Sequence, residues 1–71
     1  MLQHSAARSG DDDLNIIRMP DVKRRTGLSR ALIYREIKLG RFPVPHKLGA
    51  RAVGWRVGDI DGWLRSRPQA A

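Results

Sequence analysis

Apolar positions are sparse over residues 1–13 and cluster from Leu14 onward. The opening MLQHSAARSGDDD has no apolar periodicity and ends on three acids, so it is expected to be a disordered tail outside any core. The pair Ile16 and Ile17, within Leu14–Arg18, reads as a short extended lead-in strand. Pro20 suits a first helical position, where its missing N–H costs nothing, and Asp21 favours a helix N-terminus, so a helix is predicted over Pro20–Thr26. Gly27 then supplies a left-handed stop, and Ser29 is placed to cap a second helix over Arg30–Leu39. Leu28 and Ile33 have the spacing of a hydrophobic staple across that cap. Gly40 ends the second helix, and Pro43, which pushes Phe42 out of α conformation, keeps it from resuming.

Two short extended runs follow, His46–Leu48 and Val53–Arg56, and Gly49–Ala52 between them marks a hairpin. Val53 and Trp55 share one face by the period of two, a face expected to pack on the helices. A last helix over Gly58–Arg67 places Ile60, Trp63 and Leu64 on one stripe before Pro68. Gly62 weakens it by about 1 kcal/mol relative to Ala, so packing through Trp63 must hold it. The predicted architecture is mainly α with a small β-hairpin, one domain over residues 14–67 and a C-terminal tail over residues 68–71.

Composition narrows what such a domain does. At 71 residues the chain buries only about 60% of its unfolded surface, too little for a deep catalytic cleft. It has no cysteine, and His4 and His46 stand alone, so neither a metal nor a cofactor is expected. The Asp11–Asp13 run reads as a solvated charge run rather than a cation site, because no second cluster of oxygen ligands accompanies it. No Ser, His and Asp set and no paired carboxylates recur at useful spacing, which argues against an enzyme. No window approaches the ~20 apolar residues of a membrane span, and the first residues lack the apolar stretch of a signal peptide. A cytoplasmic, nucleoid-associated protein is therefore expected.

Charge changes the picture most. Lys and Arg number 14 against 7 acids, for a net +7. Residues 1–13 hold Arg8 against Asp11, Asp12 and Asp13, so the rest of the chain carries 13 basic residues against four acids, Asp21, Glu36, Asp59 and Asp61. A polyanion is the partner such density suits, because each phosphate neutralised releases condensed counterions. Charge alone is weak evidence, because a basic solvated surface without a partner, or one facing anionic membrane, also fits it. The second helix discriminates. Projected at 100° per residue, Arg30, Ala31, Tyr34, Arg35 and Lys38 fill an arc of roughly 140°, with Leu32, Ile33, Ile37 and Leu39 opposite.

A helix of that kind fits the major groove of duplex DNA, where Arg bonds guanine in bidentate fashion. Arg30 and Arg35 are the base-reading candidates, with Ala31 placed for a thymine methyl. Lys38, farther along, suits phosphate and also the helix C-terminal dipole. Ser29 is either a cap alone or also a phosphate donor, and Tyr34 either meets a phosphate or covers the core. Lys23, Arg24, Arg25 and Arg41 flank the helix and would position the duplex rather than read it. The hairpin adds Arg51 at its tip, with Lys47 and Arg56 either on DNA or merely solvated. Glu36 falls in the apolar arc, and a pairing with Arg24 or Arg25 is expected, while Asp59 and Asp61 are expected to favour the start of the last helix through its dipole. An RNA-binding or protein-interaction module is the rival reading. Single-strand readers expose aromatics for stacking, and here Tyr34 alone reads as free, with Trp55, Trp63 and Phe42 read as buried.

The strings Ile17-Arg18-Met19-Pro20-Asp21-Val22, Thr26-Gly27-Leu28-Ser29-Arg30, Ile33-Tyr34-Arg35, Gly40-Arg41-Phe42-Pro43, Lys47-Leu48-Gly49, Val53-Gly54-Trp55 and Asp61-Gly62-Trp63-Leu64 together resemble the AlpA family of phage and mobile-element regulators. The resemblance runs over roughly residues 16–67 and leaves the acidic tail outside. It implies a winged helix-turn-helix of MerR type, related to excisionases, with Arg30–Leu39 entering the groove and a wing around Gly49–Ala52. It makes Trp55 and Trp63 core residues, and where the family has an acidic or serine position before its last helix this chain has Val57-Gly58. Members regulate transcription from double-stranded DNA or direct an integrase toward excision. RNA polymerase, an integrase and further copies of the chain on tandem sites are the partners it suggests.

Overall fold

The computed structural model describes residues 14–70, and the tail expected over residues 1–13 lies outside them. In chain order the elements are β1 (Ile16–Ile17), α1 (Met19–Thr26), α2 (Arg30–Lys38), β2 (His46–Lys47), β3 (Val53–Arg56) and α3 (Val57–Arg65). The expected lead-in strand and hairpin prove to be one antiparallel sheet of order β1-β3-β2. Ile16 pairs with Arg56 and Ile17 with Trp55 on one side of β3, and His46 pairs with Gly54 and Lys47 with Val53 on the other. Gly54 permits that closeness, since a Cβ there would lie 3.1 Å from both the Ile17 carbonyl oxygen and Leu48 Cδ1.

Capping sets where the helices begin and end. At α1 the amides of Asp21 and Val22 donate to the Arg18 carbonyl at 3.0 and 3.1 Å. Gly27, at φ 74°, closes the helix by donating its N–H to the Lys23 carbonyl. Ser29 then caps α2, its hydroxyl accepting the Leu32 N–H at 3.1 Å. The far end of α2 is a Schellman motif: Gly40, also at φ 74°, donates to the Ile37 carbonyl, and the Arg41 N–H reaches the Glu36 carbonyl at 2.8 Å. Leu39 consequently lies past the last helical turn and is 53% exposed, not in the apolar arc where its position on the helix projection put it.

The last helix departs from expectation at both ends. It starts directly out of β3 at Val57, whose N–H donates to the Asn15 carbonyl, and no side chain caps it. It stops at Arg65 rather than Arg67, because the Ser66 hydroxyl turns back to the Trp63 carbonyl at 2.8 Å. Asp59 occupies the first turn as expected of a helix-favouring acid. Asp61 lies one turn-half too late for that, and its carboxylate instead faces Arg25 of α1 at 3.5 Å.

Val22, Ile33, Phe42, Trp55 and Ile60 form the buried core, so each helix contributes one residue and β3 contributes the largest. The Trp55 indole donates to the Pro43 carbonyl at 2.9 Å, and the Trp63 indole donates to the Arg41 carbonyl at 2.7 Å. The irregular segment between α2 and β2 is thereby pegged by two indoles whose own polar atoms need partners. Trp63 sits at the core's rim, not its centre. Its ring meets Phe42 edge-on with centroids 4.7 Å apart, and the Arg67 guanidinium covers it at 4.4 Å.

Candidate nucleic-acid interface

The amphipathic split of α2 is present in three dimensions. Arg30, Ala31, Tyr34, Arg35 and Lys38 are all exposed, while Leu32, Ile33, Glu36 and Ile37 are buried or half-buried. Ser29 acts as the helix cap, and capping fixes Arg30 as the first helical residue. One turn on, the Tyr34 ring lies under the Arg30 guanidinium at 5.2 Å, an i,i+4 contact that limits where the arginine swings.

The hairpin reaches the same place. A hollow of 370 Å³ opens between the start of α2 and the β2–β3 connection, lined by Arg18, Arg30, Tyr34 and Arg51, with Met19 and Val53 among its apolar walls. Arg30 and Arg51 are thus brought together although 21 positions apart in the chain. Strand parity sorts the other hairpin cations. Lys47 pairs with Val53 and shares its face of the sheet, the face whose Val53 lines the hollow. Arg56 pairs with Ile16 and points to the opposite face, so the sheet separates it from Arg51.

Arg18, which the pattern along the sequence did not single out, also lines the hollow. It belongs to neither α2 nor the hairpin, and the pairing of β1 with β3 together with its place at the start of α1 carries it to the hollow. The signal available was the turn from Ile17 to Pro20, which fixes Arg18 as the cap residue of α1.

The flanking cations are held within the protein to different degrees. Arg24 meets Asp21 at 2.6 Å, both side chains well exposed, and Arg25 meets Asp61. Lys23 is exposed, with no carboxylate partner among the described residues. Arg41 grips Glu36 through two hydrogen bonds, Nε to Oε1 at 2.9 Å and Nη2 to Oε2 at 3.1 Å. This corrects the pairing of Glu36 expected with Arg24 or Arg25, and the Schellman motif is the reason. That turn folds Arg41 back over Glu36, the residue whose carbonyl its own N–H bonds. The Arg41 guanidinium accordingly holds the Glu36 carboxyl below the usual carboxylate range, and Glu36 in turn raises Arg41. Arg41 also lines a larger, open hollow of 760 Å³ beside α3, which shares no lining residue with the arginine-rich one.

No cluster of metal-ligating side chains and no helix long and apolar enough to cross a membrane occurs among the described residues. What the fold and its surface define is a small basic domain of three helices and a three-stranded sheet that turns one cationic helix face outward. The family model described as prophage CP4-57 regulatory protein (AlpA) matches residues 15–68. The chain is 37% identical over 60 residues to the DNA-binding transcriptional activator AlpA of Escherichia coli (strain K12), covering 76% of this chain and 86% of that protein. It is also 37% identical over 51 residues to the uncharacterized protein ORF88 of Enterobacteria phage P4, covering 72% of this chain and 58% of the phage protein, so it spans little more than half of that relative. No solved structure matches the chain. The chain belongs to the AlpA family.

Proposed function

We propose that this protein is a sequence-specific regulator of transcription that binds double-stranded DNA as a winged helix-turn-helix, α1 and α2 forming the helix pair and the β2–β3 hairpin the wing. The observation that carries the reading is the meeting of Arg30 and Arg51 in one hollow beside the exposed basic face of α2. A helix in the major groove with a wing on the neighbouring minor groove or phosphates needs that juxtaposition. Arg30, Ala31 and Arg35 read base edges. Lys38, Tyr34 and the Ser29 hydroxyl meet phosphates beside them, and Lys23, Arg24, Arg25 and Arg41 steer the duplex from the flanks. The Arg24 and Arg25 ion pairs do not oppose this, since exposed pairs are worth only about 0.2–1 kcal/mol and exchange readily for phosphate. Lys47 and Arg51 carry the wing contacts, and Arg56, on the sheet's other face, meets DNA only where the duplex bends around the domain.

Regulation of transcription, rather than of excision, is favoured by the relative in Escherichia coli, which is named as a transcriptional activator. A prophage or other integrated element is the setting, with the nucleoid as location and RNA polymerase as the further partner. Selection from a random pool of duplexes tests the reading. One preferred sequence should emerge, and Arg30→Ala or Arg35→Ala should lose about 1–3 kcal/mol on it and relax the preference, whereas Lys38→Ala should weaken all sequences alike. A pool that stays random after repeated rounds, or RNA competing as well as duplex DNA, would refute the assignment.

A further inference from the structure

Three arginines, Arg18, Arg30 and Arg51, line the 370 Å³ hollow, and no carboxylate is among its lining residues. Ligand pockets are usually apolar with a few polar groups. Gathering like charges also costs the free protein stability, a cost recovered only when an anion enters. Of the three, Arg18 has no assigned part in the reading above. Its backbone is fixed from both sides: Ile17 before it pairs with Trp55, and its carbonyl accepts from Asp21 and Val22 at the start of α1. Its side chain is exposed and, among the described residues, makes no hydrogen bond or ion pair. A rigid backbone presenting an uncommitted guanidinium is suited to a bidentate hold on a phosphate.

The hollow adjoins the exposed face of α2, because Arg30 and Tyr34 belong to both. We infer that Arg18 and Arg51 clamp one backbone phosphate of the bound duplex in this hollow, beside the point where Arg30 reaches toward the bases. The inference rests on the duplex-binding reading. It adds an unassigned residue and a division of labour: Arg18 and Arg51 fix the register of the duplex, and Arg30 reads within that register.

The test uses the selected duplex and a random-sequence duplex of equal length, titrated across a salt series. Arg18→Gln should bind both about tenfold more weakly, as expected for a lost charged hydrogen bond. Its dependence of log affinity on log salt should be shallower by about 0.9, one phosphate contact. Arg18→Lys, which keeps the charge, should restore the slope but not the full affinity. A scan placing single uncharged methylphosphonate linkages along the selected duplex should find one linkage that weakens the unsubstituted protein, weakens Arg18→Gln and Arg51→Gln less, and leaves the doubly substituted protein unchanged. Two different linkages for Arg18 and Arg51, or an unaltered slope for Arg18→Gln at an unaltered melting temperature, overturns the clamp. Titrating the free chain with inorganic phosphate separates the two sources of such an anion, since saturable binding at Arg18 without DNA assigns the hollow to a free ion instead. If duplex binding with an Arg30-dependent base preference survives while Arg18→Gln behaves as the unsubstituted protein, the clamp alone fails. If no duplex is bound, both readings fail together.

Discussion

Trp55 illustrates how much a single residue decides in a domain this small. It is fully buried, pairs with Ile17 through its backbone and reaches the Pro43 carbonyl with its indole N–H. One side chain therefore joins the sheet, the three helices' buried residues and the segment after α2. Truncating a buried aromatic costs about 3–5 kcal/mol. At about 0.05–0.15 kcal/mol per residue, a chain of 71 residues holds about 4–11 kcal/mol in total, of which that loss takes a large part. Trp55→Ala should therefore melt far below the unsubstituted chain by circular dichroism. Trp55→Phe should fold but melt lower, because it leaves the Pro43 carbonyl without its donor. Trp63→Ala should be milder than Trp55→Ala, since Trp63 is only half-buried. Equal melting of Trp55→Ala and the unsubstituted chain would contradict the core assignment.

At the scale of elements, the end of α2 ties a turn to an ion pair. Gly40 turns the chain, Arg41 returns over Glu36, and a backbone bond and two side-chain bonds join the same two residues. Because the native Glu36 carboxyl is held low by Arg41, the pair stabilises the fold fully above the unfolded glutamate pKa of about 4.3 and loses that contribution as pH falls through the lower native value. Glu36→Gln should remove this part of the acid sensitivity while changing stability only modestly near neutrality, and urea midpoints measured across acid pH would show it. A Glu36→Gln protein with the same acid dependence as the original would mean that the pair does not titrate with folding. The helices themselves were legible because their stops are local: Gly27, Ser29 and Gly40 act through bonds spanning a few residues. The partner of Glu36 was not, because charge counting pointed to Arg24 or Arg25 and only the geometry of the Schellman turn brings Arg41 to it. The union of β1 with β3 was equally hidden, as the two residues of β1 leave no periodicity to read.

For the whole molecule, the face of α2 was readable from one helical projection, whereas the hollow was not, since it depends on the sheet bringing Arg18 and Arg51 to the first turn of that helix. Net charge acts at a longer range than either feature and is divided unevenly along the sequence. Three acids, Asp11, Asp12 and Asp13, directly precede a segment with 13 basic residues and four acidic ones. If duplex binding is governed by the field of the whole chain, these carboxylates oppose it irrespective of any contact they make. Replacing all three by Asn takes the formal charge from +7 to about +10 and should speed association with duplex at low ionic strength. The gain should shrink as salt rises, because the Debye length falls from about 30 Å at 0.01 M to about 8 Å at 0.15 M. Base preference should not change, as none of the three lies in α2. Association rates for the two proteins on selected and random duplexes, followed from low to physiological salt, measure this directly. A gain confined to the selected sequence, or one that persists undiminished in high salt, would show instead that the acids act by specific contact and not through the field.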